Sequence, residues 1–334
     1  MALIEVERAR FHPCMDSFLG SVHGLLSAFD ESVEMDELWG LSALAFRTQI
    51  HRTLAPAGLF FRQWDETCSR ILRRMGYDCL AGLRDHFYTP KDLRELQFAW
   101  MDTVQKALED GRPAISFGLH GPAFGLIRGL DTDAEEYLVS TFMDGSRDTP
   151  INVQDVGSQF PPLIFVLIPS GPLADHNPHQ AARAAIQEAI DHHLGQEHDN
   201  AGELLKAPAD LVAGPAAYNA WSTALETGQV EPHWGSSYYA GYHAEARSAG
   251  AQWLRRLAAS EEWSPHVTEL TRAATHLDHE SECFSKLPQL FPLNQPETLL
   301  DPTRRTEASA CLRLARAEHI AAMELLVNVM EPPV

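Results

Sequence analysis

Between residues 15 and 29 the apolar side chains Phe18, Leu19, Val22, Leu25, Leu26 and Phe29 fall at offsets 0, 1, 4, 7, 8 and 11. This is the stripe of one amphipathic helix. Helical periodicity returns over Trp64–Met75 and again over Asp92–Leu108, where Asp110-Gly111 supplies a stop. From Gly111 the texture changes to short apolar runs broken by turn residues: Pro113–Leu119, Phe124–Ile127, Tyr137–Phe142 and Leu163–Ile168. These read as strands, and Asp131-Thr132-Asp133 reads as a hairpin connection that makes the second and third antiparallel. Pro169-Ser170-Gly171-Pro172 closes the last run. From Pro178 onward every pattern is helical, with an extended loop expected over Leu287–Pro296 and a closing helix over Ala308–Val329. The expected architecture is an α+β domain over residues 1–172, in which helices pack on a small antiparallel sheet, followed by an all-helical domain over 173–334.

Composition narrows the partners. Hydrophobic residues make up 45% of the 334 and charged residues 22%, enough apolar surface for packed cores. The net charge of −20, with only four lysines (Lys91, Lys106, Lys206, Lys286), repels phosphate backbones and anionic surfaces. No nucleic-acid or membrane partner is expected. The opening MALIEVERARFHPC has charges where a signal peptide needs an apolar stretch, so a cytoplasmic location is expected. Five scattered cysteines (Cys14, Cys68, Cys79, Cys283, Cys311) suit a reducing compartment better than a disulfide framework.

One of those thiols carries the candidate chemistry. Cys14 follows His12-Pro13 and precedes the first helix, and a helix starting near Met15 would favour its thiolate through free N–H groups and the dipole. A base is available in His120, within Gly118-Leu119-His120-Gly121-Pro122 ahead of the second strand, with His12 as the weaker alternative. A carboxylate to orient it is available in Asp144 after the third strand, or in Asp131. Three other clusters read as structural. His276, His279, Glu280 and Cys283 have ligand types on one helix face; a metal-dependent site there is the weaker reading, because without a further ligand they describe a solvated face with one buried Cys. His176, His179, His192, His193 and His198 read as exposed, and Tyr218, Trp221 and Trp253 as core. No metal and no cofactor is expected.

The N-terminal half resembles the butirosin-biosynthesis protein H family of the papain-like cysteine-enzyme superfamily. The likeness rests on the Cys at the head of the first long helix, on Gly40-Leu41-Ser42-Ala43-Leu44-Ala45-Phe46-Arg47, and on Phe124-Gly125-Leu126-Ile127-Arg128-Gly129-Leu130-Asp131. Ala216-Ala217-Tyr218-Asn219-Ala220-Trp221 and Tyr242-His243-Ala244-Glu245-Ala246-Arg247 are similar to the helical tail found with that domain. The resemblance implies acyl transfer or amide/thioester hydrolysis through an acyl-Cys intermediate, on a small-molecule amine or acyl substrate, with an acyl carrier protein as a candidate donor. It also implies Cys14 as nucleophile, His120 as acid and base and Asp144 as orienter. Ala123 and Thr141 stand where the family's pattern expects the His and the carboxylate. A catalytically silent binding or scaffold protein is therefore the alternative, and a homodimer is plausible for the aromatic-rich helical half.

Overall fold

A computed structural model describes residues 3–55, 59, 64–84, 89–145, 149–158, 163–196, 210–230 and 234–331. The chain is a mixture of helix and antiparallel sheet with a helical C-terminal region. Its strands are β1 (Leu3–Glu5), β2 (Gln49–His51), β3 (Tyr77–Arg84), β4 (Ala114–Phe117), β5 (Phe124–Asp131), β6 (Glu136–Ser140), β7 (Ile151–Asn152), β8 (Ile164–Pro172) and β9 (Leu211–Ala213). Its helices are α1 (Ser17–Ala28), α2 (Met35–Leu41), α3 (Trp64–Arg74), α4 (Pro90–Glu109), α5 (Pro178–His193), α6 (Pro215–Thr227), α7 (Gly235–Ala258), α8 (Val267–Leu290) and α9 (Pro302–Met330). Two compact units result: residues 1–38 with 63–177, and 39–62 with 178–334. The segment 39–62, placed by sequence within the first domain, thus belongs to the helical unit.

In the first unit seven antiparallel strands form one sheet in the order β3-β8-β4-β5-β6-β7, with β1 added against β5. Period-2 alternation covers both faces. Ile164, Val166 and Ile168 of β8 join Val104 and Leu108 of α4 on one side, while Phe165 faces the other way toward an aromatic cluster. At the centre of that cluster Phe124 meets Trp64 at 5.0 Å, Phe117 at 5.3 Å, and Phe18 and Phe165 at 5.4 Å. Such pairs contribute about 0.5–1.5 kcal/mol each beyond simple burial. The expected helices and the β5–β6 hairpin are present; β1, β3 and β7 escaped the pattern, being short or, in β3, only partly buried.

How the chain enters this unit fixes where Cys14 lies. β1 pairs Leu3 with Asp131 and Glu5 with Gly129, and the Val6 amide continues the pairing to the Arg128 carbonyl at 2.7 Å. The chain then crosses α1 at close range, with the His12 amide donating to the Gly20 carbonyl at 3.1 Å. A Cβ on Gly20 would stand 2.4 Å from the His12 carbonyl oxygen, and one on Gly24 only 2.0 Å from that of Arg10. Two glycines four residues apart on one helix face make this crossing possible.

The helical unit packs α8 against α7 and α9 and adds a small β2–β9 ribbon, a strand pair not anticipated downstream of Pro178. The expected loop at Leu287 is also partly helical: α8 continues to Leu290 with Pro288 in its last turn. Its interior holds ionised groups. Arg247, fully buried, donates to Glu280 Oε1 at 2.7 Å, the Ala45 carbonyl at 2.6 Å, the Arg47 carbonyl at 3.2 Å and Tyr218 Oη at 3.2 Å, and also reaches Thr48 Oγ1. Tyr218 donates to Glu280, whose other oxygen meets His319 Nδ1 at 3.3 Å. Burial alone would raise the Glu280 carboxyl, but Arg247 and His319 hold it below the usual carboxylate range. His192, expected to be exposed, is buried with Nε2 against the Thr48 amide and carbonyl. His198 lies outside the described residues.

Two outcomes test this packing. Alanine favours a helix over glycine by about 1 kcal/mol, so Gly24→Ala would stabilise an uncrowded helix. Against the Arg10 carbonyl the expected result is instead a loss of about 1–3 kcal/mol, read by urea denaturation. The second concerns acid. Burial pushes His243 well below its ordinary pKa, helped by Arg247, and lowers His319 despite Glu280; burial and His319 bring His193 to about 4. In the unfolded chain these rings take up protons near pH 6.5. The unfolded state then binds more protons than the folded one below that pH, so stability falls as pH drops from about 7 toward 4. His243→Phe, which replaces a ring whose two nitrogens have no hydrogen-bond partner among the described residues and which lies amid Trp221, Tyr239 and Phe284, is expected to flatten the urea-midpoint-versus-pH curve.

Candidate active site

α1 begins at Ser17, not Met15, and its N-cap is Asp16, whose buried Oδ1 accepts from the Phe18 amide at 2.9 Å and the Leu19 amide at 3.1 Å. Half-buried Cys14 therefore stands two residues before the cap, and the helix-end N–H groups expected to favour its thiolate serve Asp16. None of the five cysteines is in a disulfide. His12 turns toward α1, its ring 4.2 Å from that of His23, and burial followed by the neighbouring His12 lowers the His23 pKa.

Hydrogen bonds anchor the chain on both sides of Cys14. The Phe11 amide donates to Ser140 Oγ at 2.8 Å, at the end of β6. Ser17 Oγ accepts from the Phe124 amide at 3.0 Å, at the start of β5. His120 sits four residues before Phe124, in the bend between β4 and β5, half-buried. The seven-residue span from Phe11 to Ser17 that carries Cys14 and the loop that carries His120 are thus tied to the same end of the sheet. His120 Nε2 lies 3.0 Å from the Thr149 carbonyl, a contact that requires the ring to donate there. In the neutral ring Nδ1 is then the basic nitrogen, with Thr141 Oγ1 at 3.4 Å.

Asp144 fills a different place from the one expected. Its two carboxylate oxygens accept from the Ser140 hydroxyl and from the Thr141 amide at 2.7 Å, closing the turn after β6. Among the described residues its link to His120 runs through Thr141. A carbonyl, that of Thr149, is what fixes the ring. Asp131, the other carboxylate considered, accepts from the Asp133 amide at 3.0 Å and the Ala134 amide at 3.1 Å within its own hairpin.

Beside this cluster lies a cleft of about 370 Å³, lined among others by Arg10, Arg128, Asp144 and Thr149. Its volume is in the range of small-ligand sites. Arg128 is there because of a β-bulge: the β5–β6 register shifts between Ile127 and Gly129. The guanidinium is paired with Glu5 of β1, while its buried Nε has no hydrogen-bond partner among the described residues. Thr149, Arg10 and Arg128 have no sequence signal of function, while Thr141 is marked only as standing where a carboxylate is expected. They meet through turns and a bulge, which hydrophobic periodicity does not encode.

No family model matches the chain, and no curated protein matches it. Among the described residues, no helix is long and apolar enough to cross a membrane.

Because Asp144 satisfies a hydroxyl and an amide at the site's edge, Asp144→Ala is expected to cost about 1–2 kcal/mol. A lower melting temperature with unchanged far-UV circular dichroism checks this.

Proposed function

We propose that the first unit is papain-like in kind and performs cysteine-dependent acyl transfer or amide/thioester hydrolysis, with Cys14 as nucleophile and His120 as acid and base. The observation that carries this reading is the pair of anchors, Phe11 to Ser140 and Ser17 to Phe124, which hold the Cys14 span at the sheet end that also bears a His120 ring oriented by a carbonyl. A nucleophile needs a base held in register with it by a third group. The Thr149 carbonyl supplies the orientation assigned beforehand to Asp144, which becomes a positioning residue for the turn.

The reaction runs in two balanced halves. His120 Nδ1 takes the Cys14 thiol proton as Sγ adds to the substrate carbonyl, and returns it to the departing thiol or amine as the carbonyl re-forms, leaving an acyl-Cys thioester. An amine or water then attacks, its proton passing to His120 and on to the Cys14 sulfur as the C–S bond breaks. The cleft lined by Arg10, Arg128 and Asp144 suits a polar acyl group or amine acceptor better than a long alkyl chain. The −20 charge favours a cationic amine by steering and gives no help with an acidic carrier protein.

A second reading, a binding protein with a silent site, is favoured by one feature: Asp16 puts a buried carboxylate at the helix end where thiolate support was expected. Alkylation by iodoacetamide across pH, followed by peptide mass spectrometry, separates the two. The enzyme reading expects Cys14 to react well below pH 8 and at least tenfold faster there than half-buried Cys79, with His120→Ala removing the low-pH limb. Cys14 reactivity that follows Cys79 at every pH, unaffected by His120→Ala, would favour the silent site.

A further inference from the structure

In the helical unit, His276 and His279 lie three residues apart and so share one face of α8, and α9 brings Glu318 to them. Glu318 Oε2 stands 2.7 Å from His276 Nδ1 and 3.5 Å from His279 Nδ1. The ligand atoms of all three side chains lie within 4.8 Å of one another. Glu280 and Cys283, which sequence spacing grouped with these histidines, take no part: Glu280 is sealed in the ion pair with Arg247, and Cys283 is buried. The third ligand comes from the neighbouring helix, where no spacing rule would have found it.

We propose that His276, His279 and Glu318 form a binding site for a divalent transition ion of the zinc class, which clips α8 to α9. Donor chemistry supports the class: two imidazoles and one carboxylate are a known three-ligand set for Zn²⁺, with water completing four. Ligands about 2.1 Å from a tetrahedral ion stand roughly 3.4 Å apart, so His279 is already at the required separation from Glu318 and His276 needs to withdraw by less than about 1 Å. One carboxylate oxygen now faces both Nδ1 atoms, so a cation placed between them meets ligand atoms that all lie within 4.8 Å of one another. Access is open, with His279 about half exposed and the other two side chains near 30%. The ligands sit on two long, mutually packed helices, which limits the ordering cost of binding. The carboxylate attracts a cation to the site, in a chain whose net charge of −20 raises the local concentration of cations.

The test is calorimetric titration of Zn²⁺ into the EDTA-stripped full-length protein, with thermal melting alongside. One saturable site is expected, weakened at least tenfold by His279→Ala and by Glu318→Gln, and unchanged by His176→Ala, which removes an exposed histidine of the first unit. Zinc should raise the melting temperature of the native protein and of His176→Ala but not of the two site variants, whose far-UV circular dichroism should match the native. Affinity should fall in acid, because protons compete with the metal for imidazole nitrogens. Zinc binding of equal strength in native, His279→Ala and Glu318→Gln proteins, or no saturable binding to the native protein, would overturn the proposal.

Discussion

A guanidinium sealed from water must be given acceptors for its donors, and Arg247 obtains them from three stretches of chain that are remote in sequence. Glu280 of α8 neutralises it, Tyr218 of α6 and Thr48 offer hydroxyl oxygens, and the carbonyls of Ala45 and Arg47 complete the shell. This requirement explains the most surprising feature of the chain's organisation. Residues 39–62 leave the first unit and join the helical one because their backbone carbonyls are among the acceptors that make a buried cation tolerable. Once there, the segment pairs β2 with β9 and gives His192 its backbone partners at Thr48. Leaving such a charge uncompensated costs several kcal/mol, so the ion pair specifies this arrangement more than it stabilises it.

The first unit solves a different problem, that of bringing a loop close to a helix. Glycines at 20 and 24 remove the side chains that would hold residues 10–12 away from α1. That close passage delivers Cys14 to the N-terminal side of the helix, while β1 fixes the start of the segment on β5. The Arg128 bulge arises on the opposite edge of the same strand, in its pairing with β6. The candidate site is thus assembled from the margins of regular structure: a cap, a bend, a bulge and a turn. Its members are held by main-chain hydrogen bonds, which suits groups that must stay aligned without a large apolar interface around them.

Much of the fold was legible in the sequence. The 3.6-residue stripes of α1, α3 and α4, the β4, β5, β6 and β8 runs and the Asp131–Asp133 hairpin all follow from local spacing. Local spacing also marked Cys14, His120 and Asp144 as residues of interest. It misjudged what Asp144 touches and where α1 begins, because the choice of Asp16 over Met15 depends on a side chain-to-amide bond rather than on hydrophobicity. His192 and Glu280 were assigned to solvent for a related reason: a polar side chain gives no sign in the sequence that a buried partner awaits it.

Sequence by itself therefore determined the main helices, the runs of the sheet at β4, β5, β6 and β8, and the existence of a helical C-terminal half, since these depend on the periodicity of apolar residues along the chain. Only tertiary structure decided that residues 39–62 belong with residues beyond 177 and that a carbonyl orients His120. It alone also brought Glu318 to His276 and His279. Each of those outcomes is a pairing of polar groups across 29 to more than 150 residues of chain. A hydrogen bond or ion pair is satisfied by position and direction, and neither is specified until the backbone has closed around it.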